Sequence, residues 1–267
     1  MLLSLTFQYT SFIPCTHSIK SSQVPILLIS RLYLWLIGRG INNNNQEERP
    51  YLQQQYVCQR ITHTDMFALT ALPPGVDKAE WLASNTVAFF KHINLFSSAL
   101  SEFCTPSTCP TACGPGNTVY FWTDDHGRKL KCSAPLYFDY AMSYIQDLLT
   151  DEDVFPTKAG SVFPTGFVFL VQKVFLLLFR TLAHIYWSHY RETLAMGLHP
   201  HLNTLFTHLT LFCRQHALLE PEDTEPLQDL IAALGQQAAP PAARTRIQHA
   251  SHFYFHHIFT CTVNLFI

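Results

Sequence analysis

Leu182-Ala183-His184-Ile185-Tyr186-Trp187-Ser188-His189 lies in the stretch that decides the fold, the run from Phe167 to about Leu194. This run is apolar on most sides. A helix that is apolar all round is buried among other elements, so the expectation is a central helix in a helical bundle. Gly197 and Pro200 break it. Its most apolar part, Phe167 to Phe179, contains Gln172 and Lys173 and is 13 residues long. That is well short of the ~20 residues a membrane span requires, which again favours a core helix.

The same run carries His184 and His189 as an H-x4-H pair, and Phe103-Cys104-Thr105-Pro106-Ser107-Thr108-Cys109 supplies a C-x4-C pair. Both spacings suit a Cys2His2 zinc site, in which two thiolates and two imidazoles form a tetrahedron. The cysteines sit in a proline-containing loop that can wrap round an ion. On a continuous helix, positions i and i+5 are ~140° apart. His189 must therefore reach around, or the helix must distort. About 75 residues separate the two pairs, against about 12 in a DNA-binding finger, so a finger is not expected. Cys113 and Cys132 are competing thiols, read as small buried residues. His126, His199, His201 and His208 read as surface or core histidines.

Outward from this pair, the helical pattern recurs. Asp77 and Glu80 read as a capping box opening a helix with Leu82, Phe89, Phe90, Ile93, Phe96 and Leu100 near a 3.6 period, to about Phe103. Thr118 to Trp122, the turn Asp124-Asp125-His126-Gly127, and Arg128 to Cys132 read as a short hairpin. Pro135 precedes a helix with Leu136, Tyr140, Tyr144, Ile145, Leu148 and Leu149 on one side. Residues 151–166 form a long loop. Helices are expected over His201 to Cys213 and Leu227 to Leu234. The fold class is all-α with a short β-hairpin.

The flanks differ. Ile41-Asn42-Asn43-Asn44-Asn45-Gln46 reads as a flexible joint. Residues 1–46 are expected to be a disordered extension, and 235–267 a tail without clear period. Val24 to Ile37 is apolar but only about 14 residues long, too short to span; it leaves a membrane-attached adaptor as a rival reading.

Composition excludes several function classes. Charged residues are 13% of the chain, about half the usual ~25%. Seventeen basic residues face 19 acidic ones for a net charge of -2. There is no bulk attraction to phosphate backbones, so nucleic acid is not an expected partner. Eight cysteines are too sparse for a secreted disulfide scaffold and imply a reducing, intracellular compartment. No H-E-x-x-H run, glycine-rich phosphate loop or Ser-His-Asp order occurs, so no catalysis is expected. The rival reading is a zinc-dependent hydrolase, which needs an open metal position and a carboxylate base. Glu192, three residues past His189, is the nearest carboxylate in sequence.

Six stretches carry a family resemblance: Glu80-Trp81-Leu82-Ala83-Ser84-Asn85-Thr86; Glu102-Phe103-Cys104-Thr105; Cys132-Ser133-Ala134-Pro135; Asp151-Glu152-Asp153-Val154-Phe155-Pro156-Thr157-Lys158; Leu182 to His189; and His201-Leu202-Asn203-Thr204. Residues 47–234 resemble Mob-family kinase co-activators. The wording of Trp81 to Thr86 and Asp151 to Lys158 is most similar to the second Mob subtype. The resemblance implies a four-helix-bundle core with a structural Zn2+ held by Cys104, Cys109, His184 and His189. It implies binding to the N-terminal regulatory region of nuclear-Dbf2-related (NDR) kinases of the AGC group, with restraint of the kinase, in cytoplasm and nucleus. The acidic and apolar face that meets the kinase matches Asp77, Glu80 and Trp81 here. The first Mob subtype reads phosphothreonine with three basic residues. Those positions hold Leu176, Leu177 and Arg180. A leucine cannot pair a phosphate, so phosphopeptide docking is not expected. Val168, Phe169, Phe175, Leu176 and Leu177 also depart from the family, and some are expected to face outward as an apolar patch.

Overall fold

The computed structural model describes residues 49–62, 64–158 and 160–236. The expected extension 1–46, with its apolar segment 24–37, lies outside the described residues, as does the expected tail apart from residues 235 and 236. The described residues are mostly helical, with one two-stranded sheet. In chain order the helices are α1 (Gln54–Val57), α2 (Met66–Thr70), α3 (Lys78–Ala99), α4 (Ala134–Thr150), α5 (Phe167–Ser188), α6 (Tyr190–Ala195), α7 (His199–His216), α8 (Pro221–Thr224) and α9 (Gln228–Gln236). The sheet, β1 (Trp122–Thr123) with β2 (Lys129–Leu130), is antiparallel and pairs Trp122 with Leu130 and Thr123 with Lys129.

α3 starts where the sequence places it. Asp77 Oδ1 accepts the backbone N–H groups of Ala79 at 2.8 Å and Glu80 at 3.2 Å, satisfying two of the donors a helix start leaves open. The helix ends at Ala99, earlier than the expected Phe103. The N–H groups of Phe103 and Cys104 both return to the Leu100 carbonyl, at 3.0 and 3.1 Å. This tight turn lifts Cys104 off the helix axis and starts the loop toward Cys109.

α5 is the central element. It packs most extensively on α3 and also meets α4 and α7. Phe175 sits between Phe89 of α3, at 5.4 Å between ring centroids, and Phe212 of α7, at 5.5 Å. Phe179 and Tyr186 both pack on Phe206 of α7. Each fully buried aromatic or aliphatic side chain here contributes about 1.5–3 kcal/mol. The helix is long and apolar enough to cross a membrane, yet most of it is buried inside the protein, as expected of a core helix.

One sequence expectation about α5 needs correction. It stops at Ser188 rather than near Leu194, because His189 leaves helical geometry at φ −129° and ψ 18° and α6 begins anew at Tyr190. Some of the apolar substitutions do face outward, as expected: Val168 and Phe169 are 41% and 71% exposed, whereas Phe175 and Leu177 are buried and Leu176 is half-buried. Contacts with α3, α4 and α7 cover the buried ones.

The segment from residue 49 to α2 is held by polar contacts that no hydrophobic period announces. Asn203 on α7 is buried. Its amide donates to the carbonyls of Tyr56 at 2.9 Å and Gln59 at 3.0 Å, and its Oδ1 accepts from the Tyr186 hydroxyl at 2.9 Å. The Ile61 N–H reaches the Thr204 hydroxyl, and Arg60 reaches the Leu234 carbonyl.

Candidate metal centre

The cysteine loop is preorganised by its own hydroxyls. Thr108 Oγ1 donates to the Phe103 carbonyl at 2.6 Å and accepts the Thr105 N–H at 2.9 Å. The Cys109 N–H donates to the Thr105 carbonyl, and the Cys109 carbonyl accepts the N–H of Ala134 at the start of α4. These bonds fix both sulfurs toward α5.

The break in α5 solves the angular problem of H-x4-H. His184 projects from the last full turn of α5, and His189 from the non-helical joint before α6. Their rings come within 5.1 Å between centroids. Cys104, Cys109, His184 and His189 each offer one ligand atom, all within 4.8 Å of one another. Cys104 Sγ is 3.5 Å from His184 Nε2, and Cys109 Sγ is 3.4 Å from His189 Nε2. In a tetrahedron with Zn–S of ~2.3 Å and Zn–N of ~2.0 Å, a sulfur and a nitrogen lie about 3.5 Å apart. The donor set and its spacing therefore fit a tetrahedral cation.

Tautomer and charge agree with that fit. His184 Nδ1 is 2.8 Å from the Cys113 carbonyl. A carbonyl only accepts, so Nδ1 carries the hydrogen and Nε2 turns its lone pair to the sulfurs. His189 Nδ1 is buried and has no hydrogen-bond partner. Burial, and then the neighbouring Cys109, pushes the Cys104 thiol up to about 12. Burial, and then His184, holds His189 down at about 4, and burial also lowers His184. Without a cation, Cys104, His184 and His189 are thus held neutral. A divalent cation supplies the charge that turns thiols into thiolates.

Cys113 and Cys132 are half-buried rather than buried, a correction to the sequence reading, and their thiols lie outside the four-atom cluster. Cys113 contributes its backbone instead, a role no side-chain motif signals. His126 is exposed, His199 and His208 are half-buried, and His201 is buried. Asp77 and Glu80 are exposed at the start of α3, and Trp81 is half-buried against the core. Arg180 turns inward: its Nη1 donates to the Tyr137 hydroxyl at 3.0 Å, and its guanidinium lies over the Tyr120 ring.

The Mob1/phocein family domain matches residues 58–227, which contain all four residues of the cluster. The chain belongs to the Mob1/phocein family. Among relatives of this Mob chain, "MOB kinase activator 2" of Homo sapiens is 49% identical over 206 residues, covering 75% of this chain and 86% of that protein. "MOB kinase activator 2" of Mus musculus is 48% identical over the same length, covering 87% of that protein. "Maintenance of ploidy protein mob2" of Schizosaccharomyces pombe is 37% identical over 187 residues, 70% of this chain and 77% of that protein. These relatives agree with the resemblance of this Mob chain to the second subtype.

Proposed function

We propose that this chain is a non-catalytic adaptor that binds the N-terminal regulatory region of an NDR-type AGC kinase and modulates its activity. The observation that carries the reading is the 48–49% identity, over three quarters of the chain, to proteins named as kinase activators. The working unit is residues 47–234, a Mob-type domain with α3, α4, α5 and α7 as its four-helix core.

The ion is Zn2+, and its role is structural. Four protein ligands complete its tetrahedron and leave no position for a water to be activated, which favours an adaptor over a zinc-dependent hydrolase. Bound there, the ion supplies a cross-link between the 104–109 loop and the α5–α6 joint. The chain's own residues do the rest: the loop hydroxyls aim the sulfurs, and the Cys113 carbonyl fixes His184.

Asp77, Glu80 and Trp81 form the kinase-facing edge. An exposed carboxylate beside a half-buried indole suits a basic, amphipathic helix. Phosphothreonine docking is not part of the function, since Leu176 and Leu177 bring no charge and Arg180 is engaged by Tyr137 and Tyr120. The place of action is cytoplasm and nucleus, where thiols stay reduced.

The test is a titration of the purified full chain with the N-terminal segment of an NDR kinase. Glu80→Lys is expected to weaken binding roughly tenfold, about 1.4 kcal/mol. Undiminished affinity removes Glu80 from the interface, and no binding by the wild-type chain at micromolar concentration overturns the reading.

A further inference from the structure

The two imidazoles of the cluster are unequally supported. Both turn Nε2 to a sulfur, so both keep their hydrogen on Nδ1. The hydrogen of His184 has the Cys113 carbonyl at 2.8 Å. That of His189 is buried with no partner among the described residues, and His189 as a whole is only 3% exposed.

Beside His189 opens a cleft of about 430 Å³, lined by Glu102, Cys109, Ser188, His189 and Glu192 among others. Ser188 Oγ is already drawn toward His184 Nδ1, at 3.4 Å. Glu102 is exposed. Glu192 is half-buried and stands three residues after His189, on the first turn of α6. His189 is the N-cap of α6 and Glu192 its N3 residue, the two positions whose side chains serve the same open helix start. Burial raises its carboxyl, partly offset by its own N–H and Arg191.

We infer that Glu192 is the positioning residue for His189, its carboxylate turning to take the Nδ1 hydrogen when the cluster holds a divalent cation. A cation on Nε2 makes the Nδ1–H a stronger donor, and a carboxylate is the matching acceptor. Glu192 thereby has a structural task beside the ion rather than the role of a base acting on a substrate. The inference rests on the metal reading above, and the experiment separates the two.

Zinc affinity of the full chain is measured by competition with a chromophoric chelator, for wild type, Glu192→Ala, Glu192→Gln and Glu102→Gln. Glu192→Ala is expected to weaken binding by about 10–100-fold. Glu192→Gln, which keeps an acceptor oxygen without charge, should fall between. Glu102→Gln should stay within about twofold of wild type, as the exposed member of the same cleft. In the zinc-loaded protein, the Hδ1 resonance of His189 should move in Glu192→Gln while that of His184 stays, a selectivity that loosened packing would not produce. Wild-type affinity in Glu192→Ala, an unmoved His189 signal, or a loss that appears in Glu102→Gln instead overturns the inference alone. A wild-type chain that takes up no zinc overturns it together with the metal reading.

Discussion

His184 is held by Cys113 through the backbone: Nδ1 of the imidazole donates to the Cys113 carbonyl across 2.8 Å, while Nε2 faces the Cys104 sulfur. The contact makes two substitutions in neighbouring chemistry behave oppositely. His184→Ala should lose stoichiometric zinc and on the order of 3 kcal/mol of stability, a fall in Tm of roughly 6–12 °C for a domain of this size. Cys113→Ala keeps the carbonyl and should retain both. Metal analysis and calorimetry of the two purified variants check this pair.

Acid should destabilise the metal-free protein. His189 titrates near 4 in the fold against 6.5 when free, and His184 shifts the same way. Between those pH values the unfolded chain binds protons that the fold refuses. The stability is therefore fully present above about 6.5 and is lost as pH falls toward 4. The zinc-loaded protein should show a steeper slope, because its thiolates also take up protons on release. Urea midpoints of chelated and zinc-loaded protein at pH 7, 6 and 5 measure both slopes; a flat profile contradicts the prediction.

Asn203→Leu should strip the support from residues 49–62. It leaves two carbonyls and one hydroxyl without their buried partner, at about 1–3 kcal/mol per group left unsatisfied. Hydrogen exchange should lose protection in that segment before it does in α5.

Peptide binding should ignore phosphorylation. A threonine peptide and its phosphorylated form should differ in affinity by less than about twofold, since Arg180 is already bonded to Tyr137 and a charge-assisted pair is needed for discrimination. Calorimetric titration with the two peptides decides it.

Two phenylalanines six residues apart in α5 should respond in contrasting ways. Phe169→Ser, at a site 71% exposed, should change stability by about 0.5 kcal/mol or less. Phe175→Ser removes a ring wedged between Phe89 and Phe212 and should cost about 3–5 kcal/mol. Denaturant melts of both proteins provide the comparison.

Much of the site is legible from residue type and spacing. Two cysteines in a proline-bearing loop and two histidines five apart name their own chemistry. The distortion that H-x4-H requires was also foreseeable, but its place was not: no glycine or proline lies between Gly166 and Gly197, so nothing marked His189 as the joint. Cys113 escaped for a different reason, since a backbone carbonyl is common to every residue. The 49–70 segment escaped because its anchors, Asn203 and Thr204, lie about 140 residues downstream and act through polar bonds instead of a repeating apolar face. Which of the apolar substitutions on α5 face outward was not legible, because burial of a helix face depends on neighbours that local pattern does not count; Val168 and Phe169 do, and Phe175 and Leu177 do not.

Each sulfur–imidazole contact joins residues 80 positions apart. An ion that stays with the chain during denaturation closes a loop of that size in the disordered ensemble. By the chain-entropy relation for a cross-link, that closure raises the unfolded state by about 4.5 kcal/mol. The metal then acts on the coil as much as on the native fold, and refolding begins from a chain whose 104–109 loop and α5–α6 joint are already tethered.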